Sequence, residues 1–429
     1  MADSPAVHAL AAKLRRRQLV GSRTTALATA HLLRQVLSSP SSSASFSSLP
    51  DLLATIRAIG RTLVDAQPHE HAVANTVRRV LHHVREEYHT LYPPARSAGD
   101  ALSIAQFVRA GQPRVHSVAG AGRGSTVQRS DEGEADAAPD ADAFARTLMP
   151  VVVEAIQDVI DELETVYDNI SRNAKDHIHD DEIILTLGKS HTVEAFLKAA
   201  APYRKYTVII ADTAPSSSPS NPSPAHQTAL SLSSPSQPAS TSAPGHSRTL
   251  STANPQSTTT RPAHNQITTL LIPFSATYAL TSRIHKLLLG AHAILATGGA
   301  FCEAGALGAV AAARGHRVPV VVLAGGYKMT PRWDWGAGAS GDGKGSGGDK
   351  GGGGGNSVGS YAARDFGDPG AVLGWDEGAL VDSVQVVNPR WDYVPPELVD
   401  VFITNDGEHP PSSVYRLIKE AYDDEDYEL

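Results

Sequence analysis

A chain of 429 residues is long enough for two domains and a sizeable core. Its formal net charge of −8, with no large basic block, argues against a nucleic-acid surface as the main business. A single cysteine, Cys302, excludes an internal disulfide framework and any multi-cysteine metal site.

Cysteine usage of this kind fits a cytosolic or nuclear home. The opening stretch "MADSPAVHALAAKLRRRQ" lacks the apolar core of a secretory signal, so none is expected. The most apolar long stretch, about 304–326, carries Arg314, His316 and Arg317 and does not read as a membrane span.

Helical periodicity comes first. Ala26, Ala30, Leu33 and Leu37 recur at alternating steps of four and three residues, as do Leu52, Ile56, Ile59 and Leu63. Val73, Val77, Val80, Val84 and Tyr88 form a third stripe, and Val152, Ile156, Val159, Leu163, Val166 and Ile170 a fourth. Stripes of this kind must bury one another, which predicts a helical domain over 1–175. Within it, residues about 94–142 are rich in Gly, Ala, Ser and Asp without periodicity and read as a flexible linker.

From about 176 the pattern changes to short β-branched runs alternating with helical ones: "EIILTL", "YTVIIAD", "ITTLLIP", "KLLLGA", "VPVVVLA" and "VDVFITN". Continuous apolar runs are what strands buried on both faces look like, so 176–429 is expected to be a Rossmann-like α/β domain with a mostly parallel sheet. Two stretches interrupt it, about 234–265 (Ser/Thr/Pro-rich) and about 334–360 (Gly-rich). Neither buries enough apolar surface to offset chain entropy, so both are expected to be disordered insertions that project outward.

The stretch "EIILTLGKSHTVEAFLKAA" has the outline of a strand, a turn and a helix, where α/β proteins often hold phosphates. "GKS" at 188–190 is no Walker A loop, because that motif places a glycine where Ile183 stands. Gly188 suits a tight turn, and Ser190 suits the cap of the helix that follows. Asp212 ends the second strand as a ribose-binding acid would, but the first turn lacks the glycine fingerprint of a dinucleotide site. "HIHDDE" at 177–182 has no convergent third partner for a metal and reads as a polar lead-in to a strand. Cys302 reads as a small core thiol in a small-residue helix, and "DDEDYEL" as a solvated acidic tail. No cofactor and no metal are expected, and the residues alone assemble no catalytic set.

The order of the motifs adds a further reading. "VANTVRRVLHHVREEY", "HIHDDEIILTLGKSHTVEAFLKAA", "ALTSRIHKLLLGAHAILATGGAF", "NPRWDYVPPELVDVFITNDG" and "PSSVYRLIKEAY" follow one another as in the alpha, beta and delta regulatory subunits of eukaryotic translation initiation factor 2B, which this chain resembles. The resemblance covers the chain apart from its low-complexity stretches, and "DYVPPEL", "ITN" and "SSVYRL" are most similar to the beta branch. It implies a shared fold with sugar-phosphate isomerases, whose Cys and Asp positions fall here at Gly188 and His292. Glycine offers no nucleophile and histidine no carboxylate.

The resemblance therefore implies a non-enzymatic regulatory subunit of the guanine-nucleotide exchange factor for translation initiation factor 2. Its implied partners are the delta, alpha, gamma and epsilon subunits and, through its alpha subunit, initiation factor 2 itself. A cytosolic home is implied, with no membrane and no direct nucleic-acid contact. The stretch "VRRVLHHVREEY" is expected to present a face to a partner, and "GKSHTVEAFLKAA" and "RWDYVPPELV" to lie at subunit contacts. The competing readings are an aldose–ketose isomerase of a sugar 1-phosphate, and a sugar-phosphate or nucleotide sensor. The sensor would use a vestigial pocket lined by Gly188, Lys189, Ser190, Arg283 and His292.

Overall fold

The structure, a computed structural model, describes residues 4–39, 46, 48–92, 141–213, 223–233, 267–333 and 365–429. Residues 94–140 of the expected linker and both expected insertions fall outside the described residues; Ala141 and Asp142, the linker's last two, are helical.

Among the described residues, five helices open the chain: α1 (Pro5–Arg15), α2 (Ser22–Leu37), α3 (Leu49–Ala66), α4 (His71–Leu91) and α5 (Ala141–Arg172). All four predicted stripes are buried except Tyr88, which is half-buried. Helices α2, α4 and α5 pack on one another, and α3 packs on α4 and α1. Helix α1 went unread in the sequence. Its apolar face is short, with only Val7, Ala11 and Leu14 buried.

After the short α6 (Ala174–His177) come β1 (Ile183–Leu187), α7 (His191–Ala200), β2 (Tyr206–Asp212), α8 (Pro224–Ser233), β3 (Ile267–Pro273), α9 (Thr277–Thr281) and β4 (Lys286–Leu295). The chain continues through β5 (Ala300–Glu303), α10 (Ala306–Gly315), β6 (Val320–Leu323), β7 (Met329–Thr330), α11 (Ala379–Ser383), β8 (Trp391–Val394), β9 (Val401–Thr404), β10 (Gly407–His409) and α12 (Val414–Ala421). All six predicted runs are strands. They pair in parallel in the order β3-β2-β1-β4-β6-β9, with β10 antiparallel on the edge. This is the order of a doubly wound sheet, and the winding reverses between β1 and β4.

Period-two alternation assigns each face. Ile184, Val208, Ile210, Leu288, Val321, Leu323 and Ile403 face α7 and the helical layer in one continuous core. Leu185, Leu187, Ile209, Leu287, Leu289, Val320, Val322 and Phe402 face α10 and α12 in a second. Strand β4 outruns its parallel neighbours. Its end, from Ala291, pairs with β5 and β7, and β5 carries β8. This extension contradicts the helix expected around Cys302. Residues 300–303 pair on both sides, and the helix begins only at Ala306, after Gly305 adopts a left-handed φ of 96°.

The acidic tail is solvated only in part, with Asp424, Glu425 and Glu428 exposed. Asp426 is fully buried and accepts from Arg57 Nε at 2.8 Å and from Arg85. Arg78 donates to the Asp426 carbonyl at 3.0 Å and to the Tyr427 carbonyl at 2.9 Å, and Arg85 reaches Asp423 at 2.7 Å. Burial alone would lower the Arg85 pKa, and its bonds to Asp426 and Asp423 more than reverse this. The tail thus clasps α3 and α4. The stretch expected to face a partner is largely enclosed, with Val77, Arg78, Val80, Leu81 and Val84 buried. Much of "GKSHTVEAFLKAA" is likewise used inside the chain, where Val193, Phe196 and Leu197 join the core. Trp391 to Val394 form a paired strand.

Candidate functional site: a crevice at the sheet's switch point

Parallel strands gather their carboxyl ends on one edge, and a crevice opens where neighbouring crossovers diverge to opposite faces. Here that point lies between β1 and β4, and a crevice of about 140 Å³ occupies it. Leu187, Leu289, Gly290 and His292 line it from the strands, Lys189 and Ser190 from the turn after β1, and Ser22, Arg23 and Tyr167 from the helical layer. Glu303, Lys328 and Trp391 close it.

The β1–α7 turn is built by its residue types. Gly188 takes a φ of +45°, a left-handed conformation that favours glycine. Its amide donates to the Ala211 carbonyl at 3.3 Å, and its carbonyl accepts from Thr228 Oγ1 at 2.8 Å. Ser190 caps α7, accepting from the Val193 amide at 3.4 Å. Gly290 permits this, because a Cβ there would lie 2.2 Å from Ser190 Oγ. Lys189 turns outward, and its Nζ donates to Gln227 Oε1 at 2.7 Å.

His292 is buried and committed on every side. Its ring stacks on Trp391 with centroids 4.1 Å apart and planes 10° apart. Nε2 lies 3.0 Å from the His69 carbonyl, an obligate acceptor, so Nε2 carries a proton; Nδ1 meets Ser22 Oγ at 3.3 Å. A serine therefore touches a histidine, but a carbonyl stands where a hydrolase places the carboxylate that orients its base.

Buried charges frame the rest. Lys328 donates to the Ala291 carbonyl at 2.7 Å, and burial lowers its pKa to about 8. Glu303 accepts from the Lys189 amide at 3.2 Å. Burial pushes its carboxyl up to about 7, the Lys189 amide pulls against that, and Asp212 adds to it. Cys302 is fully buried, and desolvation raises its thiol to about 12, the opposite of an activated nucleophile. No described group of three or more His, Cys, Asp or Glu side chains is placed to hold a metal. No described helix is long and apolar enough to cross a membrane.

Of the residues read from the sequence, the turn at 188 and Lys189, Ser190 and His292 meet at this crevice. Arg283 does not. It is exposed between α9 and the amino end of β4, and a parallel strand separates its own two ends by its full length. Sequence reasoning missed Ser22, Arg23, Glu303, Lys328 and Trp391. These arrive from distant segments, and only the charge of Glu303 in an otherwise small and apolar run gave a signal.

Fold and crevice together define a class: a doubly wound α/β protein with a helical layer over one sheet face and a ligand-type crevice at its switch point. The chain belongs to the initiation factor 2 subunit family, whose model matches residues 18–222 and 252–411. It is 32% identical over 441 residues to "Translation initiation factor eIF2B subunit beta" of Schizosaccharomyces pombe, covering 98% of this chain and 97% of the relative. In fold it is similar to crystallised eIF2B beta from Chaetomium thermophilum, with a TM-score of 0.61 and 23% identity over 98% of this chain and 92% of that one. A chain of the tetrameric eIF2B-beta2-delta2 complex from C. thermophilum matches with a TM-score of 0.60 and 22% identity, over 97% and 94% of the two chains.

Proposed function

We propose that this chain is a beta-type regulatory subunit of the guanine-nucleotide exchange factor for translation initiation factor 2. In that role it helps form the core that binds that factor and senses its phosphorylation. One observation carries the reading: near-complete, two-way coverage at 32% identity with a relative named as that subunit. The chain is not an aldose–ketose isomerase, in keeping with its relatives and with Gly188 and His292 at the two positions where an isomerase needs Cys and Asp.

The finer parts extend this reading. The delta subunit is the principal partner, with alpha, gamma and epsilon in the same assembly, and contact with initiation factor 2 runs through that factor's alpha subunit. The complex works in the cytosol. Residues 1–175 and 176–429 act as a helical and a Rossmann-like unit that share one apolar core. Gly188, Lys189, Ser190 and His292 belong to a vestigial pocket, a reading supported by their meeting at the switch point.

Affinity purification of the tagged chain from its own cells, with mass spectrometry of what accompanies it, tests the proposal. Delta, gamma and epsilon subunits in near-equal amounts are expected. A homo-oligomer free of them overturns it.

A further inference from the structure

A turn at the carboxyl end of β1 leading into a ten-residue helix is a place for an anion, because backbone amides converge there. In this chain an anion is already built in. The Glu303 carboxylate lies directly over Gly188: a Cβ on that glycine would stand 1.8 Å from Oε1 and 2.0 Å from Oε2. Oε2 accepts from the Lys189 amide of the same turn. Among the described residues no lysine or arginine pairs with Glu303, and the Lys189 amide is its one hydrogen-bond donor. The lysines and arginine that line the crevice are used elsewhere: Lys189 on Gln227, Lys328 on the Ala291 carbonyl, and Arg23 on the Leu163 and Glu164 carbonyls. Asp212 adds a second negative charge beside it.

We propose that Glu303 sets the ligand selectivity of the crevice: its carboxylate occupies the turn's anion position, so the crevice rejects phosphate-bearing small molecules and favours uncharged or cationic, donor-rich ones. A carboxylate has about four acceptor sites, and one amide leaves most of them facing the crevice. A phosphate there would meet like charge at close range in a partly buried setting, where repulsion is weakly screened. The inference rests on the pocket reading above and not on subunit assembly, so failure of either is distinguishable from failure of the other.

The test titrates inorganic phosphate and ribose 5-phosphate at about pH 8.5, where the Glu303 carboxyl is ionised, into the full chain, in whatever complex it is purified, and compares the parent with Glu303→Gln and Glu303→Ala. Glutamine removes charge at constant volume, and alanine clears the space as well. The parent is expected to show no saturable binding in the millimolar range. At least one variant should bind at least tenfold more tightly, and Lys189→Glu added to that variant should abolish the gain. Saturable phosphate binding by the parent, equal to that of the variants, overturns the inference. So does absence of any gain in both variants while their denaturation midpoints show them folded; a variant that unfolds is replaced by the other.

Discussion

Replacing Asp426 with asparagine removes one charge from a carboxylate that is fully buried and held by two arginines. Arg57 and Arg85 are themselves only 25% and 13% exposed, so water cannot readily replace the lost partner. Removing one member of a buried ion pair costs about 3–5 kcal/mol, because the opposite charge is left without compensation. Asparagine keeps an acceptor for Arg57 Nε, and the Arg78 bonds go to backbone carbonyls that survive the change. The expected loss is therefore about 3 kcal/mol, a large part of a typical folding free energy. Urea denaturation of Asp426→Asn should show this as a lowered midpoint at unchanged slope. Asp424→Asn provides the comparison: that residue is exposed, and its one ion pair among the described residues, with Lys419, lies at the surface, so its midpoint should barely move. A cycle with Arg57→Ala should return a coupling energy of about 1–3 kcal/mol. If Asp426→Asn is no worse than Asp424→Asn, the tail is not a clasp and the argument from burial is wrong.

Restoring the isomerase side chains with Gly188→Cys and His292→Asp should yield no sugar-phosphate turnover and a loss of about 2 kcal/mol or more. The new Cβ needs a positive φ and the space held by the Glu303 carboxylate; turnover in a coupled assay would contradict this. Gly290→Ala should cost about 1–3 kcal/mol through its clash with Ser190, and Ser190→Gly in the same chain should recover part of it. Additive losses in denaturation would show that the clash is not there. Glu303 sits at about 7 when folded against an ordinary value near 4.5, so between those pH values the native state holds more protons and stability falls as pH rises. Glu303→Gln, which stays uncharged, should therefore match the parent near pH 4.5 and exceed it above about pH 7.5 by up to about 3 kcal/mol. A difference that does not change with pH would refute the assignment.

The sheet was legible because a strand buried on both faces has little choice but to be a continuous apolar run, and all six such runs became strands. The helical layer was legible for the same reason at a different period. Local chemistry was also readable: a glycine before a serine at a strand end predicted the turn and the cap that Gly188 and Ser190 form. What stayed hidden depends on segments far apart. "AFCEAG" has helix-compatible composition, and only pairing with the overlong β4 and with β8 makes residues 300–303 a strand. "DDEDYEL" carries every mark of a solvated tail, and nothing local reveals that Arg57, Arg78 and Arg85 wait for it on two helices. Ser22, Glu303 and Trp391 are brought to the crevice by topology, whereas Arg283, near β4 in sequence, is carried to its wrong end.

This chain regulates exchange without performing chemistry of its own. Guanine-nucleotide release from initiation factor 2, measured with the exchange factor assembled with and without this chain, on unphosphorylated and phosphorylated substrate, tests that role. The purified chain alone should release no nucleotide and isomerise no sugar phosphate, and adding it to the other subunits should restore release that phosphorylation suppresses. Exchange and phosphorylation sensitivity that are the same in its absence, or isomerisation by the purified chain, would contradict it.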